Sequence, residues 1–143
     1  MICVDLNVLL YAVDEDSPHH ETARKWLEQE LSGDRAIGLP WIVLLGFLRL
    51  TTRAGVLRRP MAAADAISYV DEWLALPGVH ALAPTAGHWR ILRELLEEAG
   101  TAGNLTVDAH VAALALEHGA VVASFDRDYR RFAGLRLVVP GGG

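Results

Sequence analysis

Four aspartates, Asp5, Asp108, Asp126 and Asp128, stand where acids in an alternating α/β chain tend to do chemistry. Asp5 ends the apolar run Ile2, Cys3, Val4, which has the pattern of a strand buried on both faces, and a helical set (Val8, Leu9, Tyr11, Ala12) begins at once after it. Asp108 falls in the first turn of the helix predicted from NLTVDAHVAALAL, and Asp126 and Asp128 follow the apolar run Val121, Val122, Ala123. Ligands of open α/β sheets collect outside the carboxyl ends of the strands. Each acid has an ordinary structural reading as well: Asp5 as a helix cap, Asp108 as a carboxylate favoured by a helix dipole, Asp126 and Asp128 as an Asx-turn. Their shared location is what points to function. Carboxylates gathered together repel unless protonated or neutralised by a cation. Oxygen donors without a Cys or His cluster suit Mg²⁺, with Mn²⁺ as a substitute.

The elements that must position these acids alternate between strands and helices. After the first helix, Ser17 is expected to cap a second, with Pro18 at its first position, running to about Leu31. A strand over 36–39 leads to Pro40, which opens the apolar helix WIVLLGFLRLTTR. A helix over about 61–76, a strand over 79–82 and a helix from Thr85 to Ala99 follow. The helix over 106–118 closes at Gly119, and strands at 121–123 and 135–139 complete the pattern. This alternation predicts an α/β fold with a parallel sheet of about five strands and helices on both faces. Residues 1–140 are read as a single domain and 141–143 as a flexible glycine tail.

Composition narrows the function classes. The chain has 143 residues, long enough for a sizeable core, and no apolar run long enough to span a membrane. MICVDLN lacks the features of a signal peptide, and Cys3 is the only cysteine, so a cytoplasmic protein is expected. Net charge is −5, the wrong sign for a simple nucleic-acid-binding module. Its distribution tells more, since no acid lies between Asp34 and Asp65, a stretch that holds Arg35, Arg49, Arg53, Arg58 and Arg59. Arg127, Arg130, Arg131 and Arg136 form a second basic group. Arginine forks suit phosphate oxygens. His80, His88 and His118 show no partner at a useful spacing, and His110 points away from Asp108 on the same helix. Cys3 and the four tryptophans are read as packing residues, while WIVLLGFL suits either the core or a dimer seam.

The segments DLNVLLYA, FLRLTT, GNLTVDAHVAALALEHGA and SFDRDYRRFAGLRLVVP, in this order along the chain, resemble the PIN domain, and within it the VapC-type toxins of bacterial toxin–antitoxin pairs. The resemblance implies a PIN-like three-layer sandwich and a Mg²⁺-dependent endoribonuclease that leaves a 5′-phosphate and a 3′-hydroxyl. It also implies inhibition by a VapB-type antitoxin, and a homodimer. Carried over by position, Asp5, Asp108 and Asp126 are the expected metal-binding acids, with Asp128 in support and Asn7 and Ser124 as polar neighbours. Arg49, Arg53, Arg58 and Arg59 are candidates for gripping the RNA backbone, contacts that position without reading sequence. One position departs from the family pattern: a Glu is usual in the third helix where this chain has Gly46, which leaves the metal count open. Two other readings compete. A PIN-like scaffold that lost cleavage would bind RNA or protein without turnover. A phosphatase of the haloacid dehalogenase type would need an acid where Asn7 stands and a downstream lysine, yet Lys25 is the only lysine.

Overall fold

The computed structural model describes residues 1–142 and contains five strands in one parallel sheet, ordered β3-β2-β1-β4-β5. The strands are β1 (Ile2–Val4), β2 (Ile37–Pro40), β3 (Val79–Leu82), β4 (Val121–Ala123) and β5 (Leu137–Val138). The helices are α1 (Leu6–Val13), α2 (His20–Leu31), α3 (Trp41–Thr52), α4 (Ala63–Ala75), α5 (His88–Ala99) and α6 (Thr106–Glu117). Short 3₁₀ turns lie at Gly103–Leu105 and Arg127–Arg131. The expected three-layer sandwich is what forms: α1 packs on α2 and α3, α3 packs on α4, and α5 packs on α6.

The topology creates the place for a site. From β1 the chain builds outward through β2 to β3, then returns to the other side of β1 to add β4 and β5. The boundary between β1 and β4 is thus the topological switch point, where a crevice opens at the carboxyl ends of the strands. β1 and β4 pair in parallel, Cys3 opposite Val122 and Val4 opposite Ala123, so residues 5 and 124 leave the sheet side by side. Every residue of β1, β2 and β4 is buried, which explains their uninterrupted apolar character. Helix α6 touches both β1 and β4, and Ala109, Val111, Ala112, Ala113, Leu114 and Ala115 are all buried along it. Its small alanines bring the helix, and with it Asp108, close to the sheet.

Several expected boundaries move for local reasons. Ser17 does not cap α2; its hydroxyl accepts from the His19 amide in a tight turn, and the helix starts at His20, beyond Pro18. Thr85 plays a similar role before α5, accepting from the Gly87 amide, so that helix starts at His88. Gly100 ends α5 in the left-handed conformation, φ 71°, where a residue without Cβ fits best. β5 is shorter than expected. Of the glycine tail, Gly142 donates to the Val139 carbonyl, and Gly143 lies outside the described residues.

The reading of the histidines needs correction. His88 Nδ1 lies 2.7 Å from Glu117 Oε2, and His88 Nε2 lies 2.9 Å from His110 Nδ1. Glu117 Oε1 also accepts from the Thr85 amide. These partners are 22 and 29 residues from His88 and on another helix, so no spacing in the sequence reveals them. The network pins α5 to α6. His118 Nε2 in turn meets the Ala83 carbonyl at 3.1 Å. Cys3 is buried in β1, with burial and the nearby Asp5 pushing its thiol up to about 12, which leaves it inert as a nucleophile. The tryptophans divide: Trp73 is buried, whereas Trp41 and Trp89 are exposed. Helix α3 buries Val43, Leu44 and Phe47 in the core, while Trp41 and Leu45 are exposed.

Candidate active site at the sheet switch point

Asp5 is the N-cap of α1, and its backbone is extended there because β1 ends one residue earlier. Its Oδ1 accepts from the Leu6 amide at 2.8 Å, and its Oδ2 accepts from the Ser124 hydroxyl at 2.7 Å. The same Ser124 oxygen accepts from Asn7 Nδ2 at 3.0 Å and from the Asp126 amide at 3.0 Å. Asn7 Oδ1 closes the net by accepting from the Phe125 amide at 3.1 Å. Asn7 and Ser124 therefore splice the loop after β4 onto the start of α1. The Asx-turn reading of the β4 loop also holds, since Asp126 Oδ1 accepts from the Asp128 amide at 2.9 Å.

The acids feel one another. Asp5 is only 8 % exposed, and burial raises its carboxyl above the usual carboxylate range. Hydrogen bonds from Ser124, Leu6 and Tyr129 oppose that rise, while the charge of Asp126 adds to it. Asp108 is pushed up to about 6, first by desolvation and then by repulsion from Asp5 and Asp126, with a smaller push from Asp128. Asp108, Asp126 and Asp128 line one open cleft of about 540 Å³, together with Thr101, Asn104 and Arg131. Perturbed acids gathered in a crevice are a pattern that functional sites share with structural charge networks.

The donor chemistry fits a divalent cation. All four acids offer only carboxylate oxygens, and the repulsion that raises Asp108 is what a cation would relieve. Among the described residues, no three Asp, Glu, His or Cys side chains stand as a ready-made metal cage. The carboxylates share a neighbourhood without closing on one point.

Two features escape a reading of the sequence. Tyr129, 1 % exposed, reaches into the site from the 3₁₀ turn and donates its hydroxyl to Asp108 Oδ1 at 3.3 Å. Its place directly after Asp128 is the only hint the sequence offers. The second is the contact of Leu6 with Gly46, a position the sequence does single out. A Cβ built there would lie 2.8 Å from Leu6 Cδ2, because the Leu6 side chain covers this face of α3. The residue beside Asp5 thus takes space that a longer side chain at position 46 would need. Of the arginines, Arg131 lines the acidic cleft, whereas Arg58 and Arg59 line a separate depression beside Asp14, Glu15 and Asp16. Arg49 and Arg53 are exposed at the end of α3.

Comparison with known proteins agrees with this architecture. The PIN domain family model matches residues 2–135. Ribonuclease VapC37 of Mycobacterium tuberculosis is 46% identical over 140 residues, covering 98% of this chain and 97% of that protein. Ribonuclease VapC33 of the same species is 44% identical over 140 residues, covering 98% of each. Among solved structures, VapBC2 from Rickettsia felis, bound to a promoter DNA fragment, aligns with a TM-score of 0.72 at 21% identity, covering 97% of this chain and 98% of that one. Mycobacterium tuberculosis VapC20, a toxin that cleaves the sarcin-ricin loop, aligns at 0.68 and 22% identity, covering 95% of this chain and 99% of that one. These matches set aside the dehalogenase-type phosphatase reading. With its parallel sheet, its acids at the switch point and these relatives over nearly its whole length, the chain belongs to the PIN-domain family, in its VapC branch.

Proposed function

We propose that the protein is a Mg²⁺-dependent endoribonuclease toxin, held inactive by a cognate VapB-type antitoxin. The observation that carries this reading is the coupling of acids from three separate elements, Asp5 after β1, Asp108 on α6 and Asp126 after β4, at one crevice. The names of its curated relatives supply the substrate class.

Asp5, Asp108 and Asp126 would hold the cation, with Asp128 at the margin. When bound, a divalent cation withdraws charge from a phosphate oxygen and makes water a stronger nucleophile near neutral pH. Ser124 keeps Asp5 in place, and its acceptor bond from the Asp126 amide fixes the turn that presents Asp126. Hydrolysis by water leaves a 5′-phosphate and a 3′-hydroxyl. No 2′-hydroxyl nucleophile is needed, so RNA preference rests on the shape and context of the substrate. Arg131, on the wall of the cleft, is placed to receive a backbone phosphate. Arg49, Arg53, Arg58 and Arg59, which do not line that cleft, serve as outer contacts for a longer strand. The outward-facing Trp41 and Leu45 of α3 fit a homodimer seam.

Gly46 favours a second reading, a scaffold that binds RNA without cutting it. The two separate on the products of a digest. Purified, antitoxin-free protein with Mg²⁺ should yield RNA fragments that accept a 5′-phosphate-dependent adapter, and chelation should stop their formation. Stable RNA binding without fragments would favour the scaffold.

A further inference from the structure

Tyr129 is almost completely buried, yet its hydroxyl meets an acid rather than the core. Its ring stacks edge-on against Phe132, the centroids 6.0 Å apart, which accounts for the ring but not for the hydroxyl. A phenylalanine would pack equally well. The hydroxyl instead donates to Asp108 Oδ1 at 3.3 Å. Asp5 comes from the end of β1 and Asp108 from the start of α6, and no covalent or secondary-structure link sets their separation. Ser124 and the Leu6 amide fix Asp5, but neither reaches Asp108. The Tyr129 hydroxyl is what holds the Asp108 carboxylate.

We propose that Tyr129 is a positioning residue for the metal-binding acids, its hydroxyl donating to Asp108 so that this carboxylate is held facing the crevice it shares with Asp126. This rests on the metal-site reading above. An ordinary phenol is protonated at neutral pH and so is available as a donor. Such a donor to a ligating carboxylate aligns it and preserves its free lone pairs for a cation. Groups that orient metal ligands in this way typically contribute about 10- to 100-fold in affinity.

The test is Mn²⁺ titration by calorimetry of antitoxin-free wild type, Tyr129→Phe, Asp108→Asn and the double variant, with thermal unfolding in EDTA alongside. The expected result is a loss of about 10-fold in Mn²⁺ affinity for Tyr129→Phe, with a melting temperature close to wild type in EDTA. No further loss is expected when Tyr129→Phe is added to Asp108→Asn, because the hydroxyl acts through that carboxylate. Excess Mn²⁺ should restore cleavage by Tyr129→Phe. Unchanged Mn²⁺ affinity in Tyr129→Phe would overturn the assignment and leave Tyr129 a packing residue. So would an unfolded Tyr129→Phe, which would place the hydroxyl's role in stability. Wild type that binds no Mn²⁺ would overturn the metal-site reading itself, an outcome distinct from both.

Discussion

The Ser124 hydroxyl donates to Asp5 Oδ2 at 2.7 Å, joining residues 119 apart in the chain at the ends of two adjacent parallel strands. This bond converts strand register into active-site geometry. Ser124 is fully buried, and besides donating to Asp5 it accepts from Asn7 and from the Asp126 amide.

Replacing Ser124 by alanine therefore strands two donors and frees a buried carboxylate. Ser124→Ala should lose about 1–3 kcal/mol of stability in denaturant titrations. Cleavage should fall further than the loss of folded protein accounts for. A variant as stable and as active as wild type would show that the net does not hold the site.

Asp108→Asn should separate function from stability. The folded-state pKa of Asp108 is raised to about 6 from an ordinary 3.8, so its contribution to stability is complete below 3.8 and lost as pH rises through 6. Removing the charge should raise the metal-free melting temperature at pH 7.5 by on the order of a few degrees. The gain should shrink toward pH 4, and cleavage should be lost. His110 works in the opposite sense: burial lowers its pKa from 6.5, so its contribution is present above 6.5 and lost as pH falls through the depressed value. Comparing the two proteins at each pH cancels the His110 effect. A lower melting temperature for Asp108→Asn at pH 7.5 would contradict the electrostatic account.

The Leu6–Gly46 contact makes a paired prediction. Gly46→Glu alone forces the Leu6 side chain aside and should destabilise the fold by about 1–3 kcal/mol, as overpacking does. Combined with Leu6→Ala, the substitution should recover much of that loss and tighten Mn²⁺ binding by adding a carboxylate beside Asp5. Equal effects of Gly46→Glu with and without Leu6→Ala would show that the two side chains do not compete.

Arg131→Ala should raise KM for RNA with little change in kcat and reduce the salt dependence of binding by about one phosphate contact. Arg58→Ala, in a depression away from the acids, should change KM less. The reverse order would move the RNA path to the depression lined by Arg58 and Arg59.

Much of this site was legible in the sequence because its parts lie at element ends. The strands at 79–82 and 121–123 and the helix starting at Thr106 stand where the apolar pattern puts them, which locates Asp108 and Asp126 without reference to tertiary structure. Asp5 followed from the end of the first strand, and Asn7 and Ser124 from the resemblance to the PIN domain. Tyr129, Leu6 over Gly46 and the His88–Glu117–His110 network were not legible. Each depends on contacts between side chains far apart in the chain, and aromatic or aliphatic residues in such positions look like core. The starts of α2 and α5 were placed early because Ser17 and Thr85 resemble caps yet serve tight turns.

The most direct measurement is cleavage of total cellular RNA by antitoxin-free wild type, Asp5→Asn and Asp108→Asn, each with Mg²⁺ and with EDTA. The account predicts discrete fragments for wild type with Mg²⁺ alone, and none for either variant under either condition. Fragments that persist in EDTA, or that both variants still produce, would contradict a metal site built on Asp5 and Asp108.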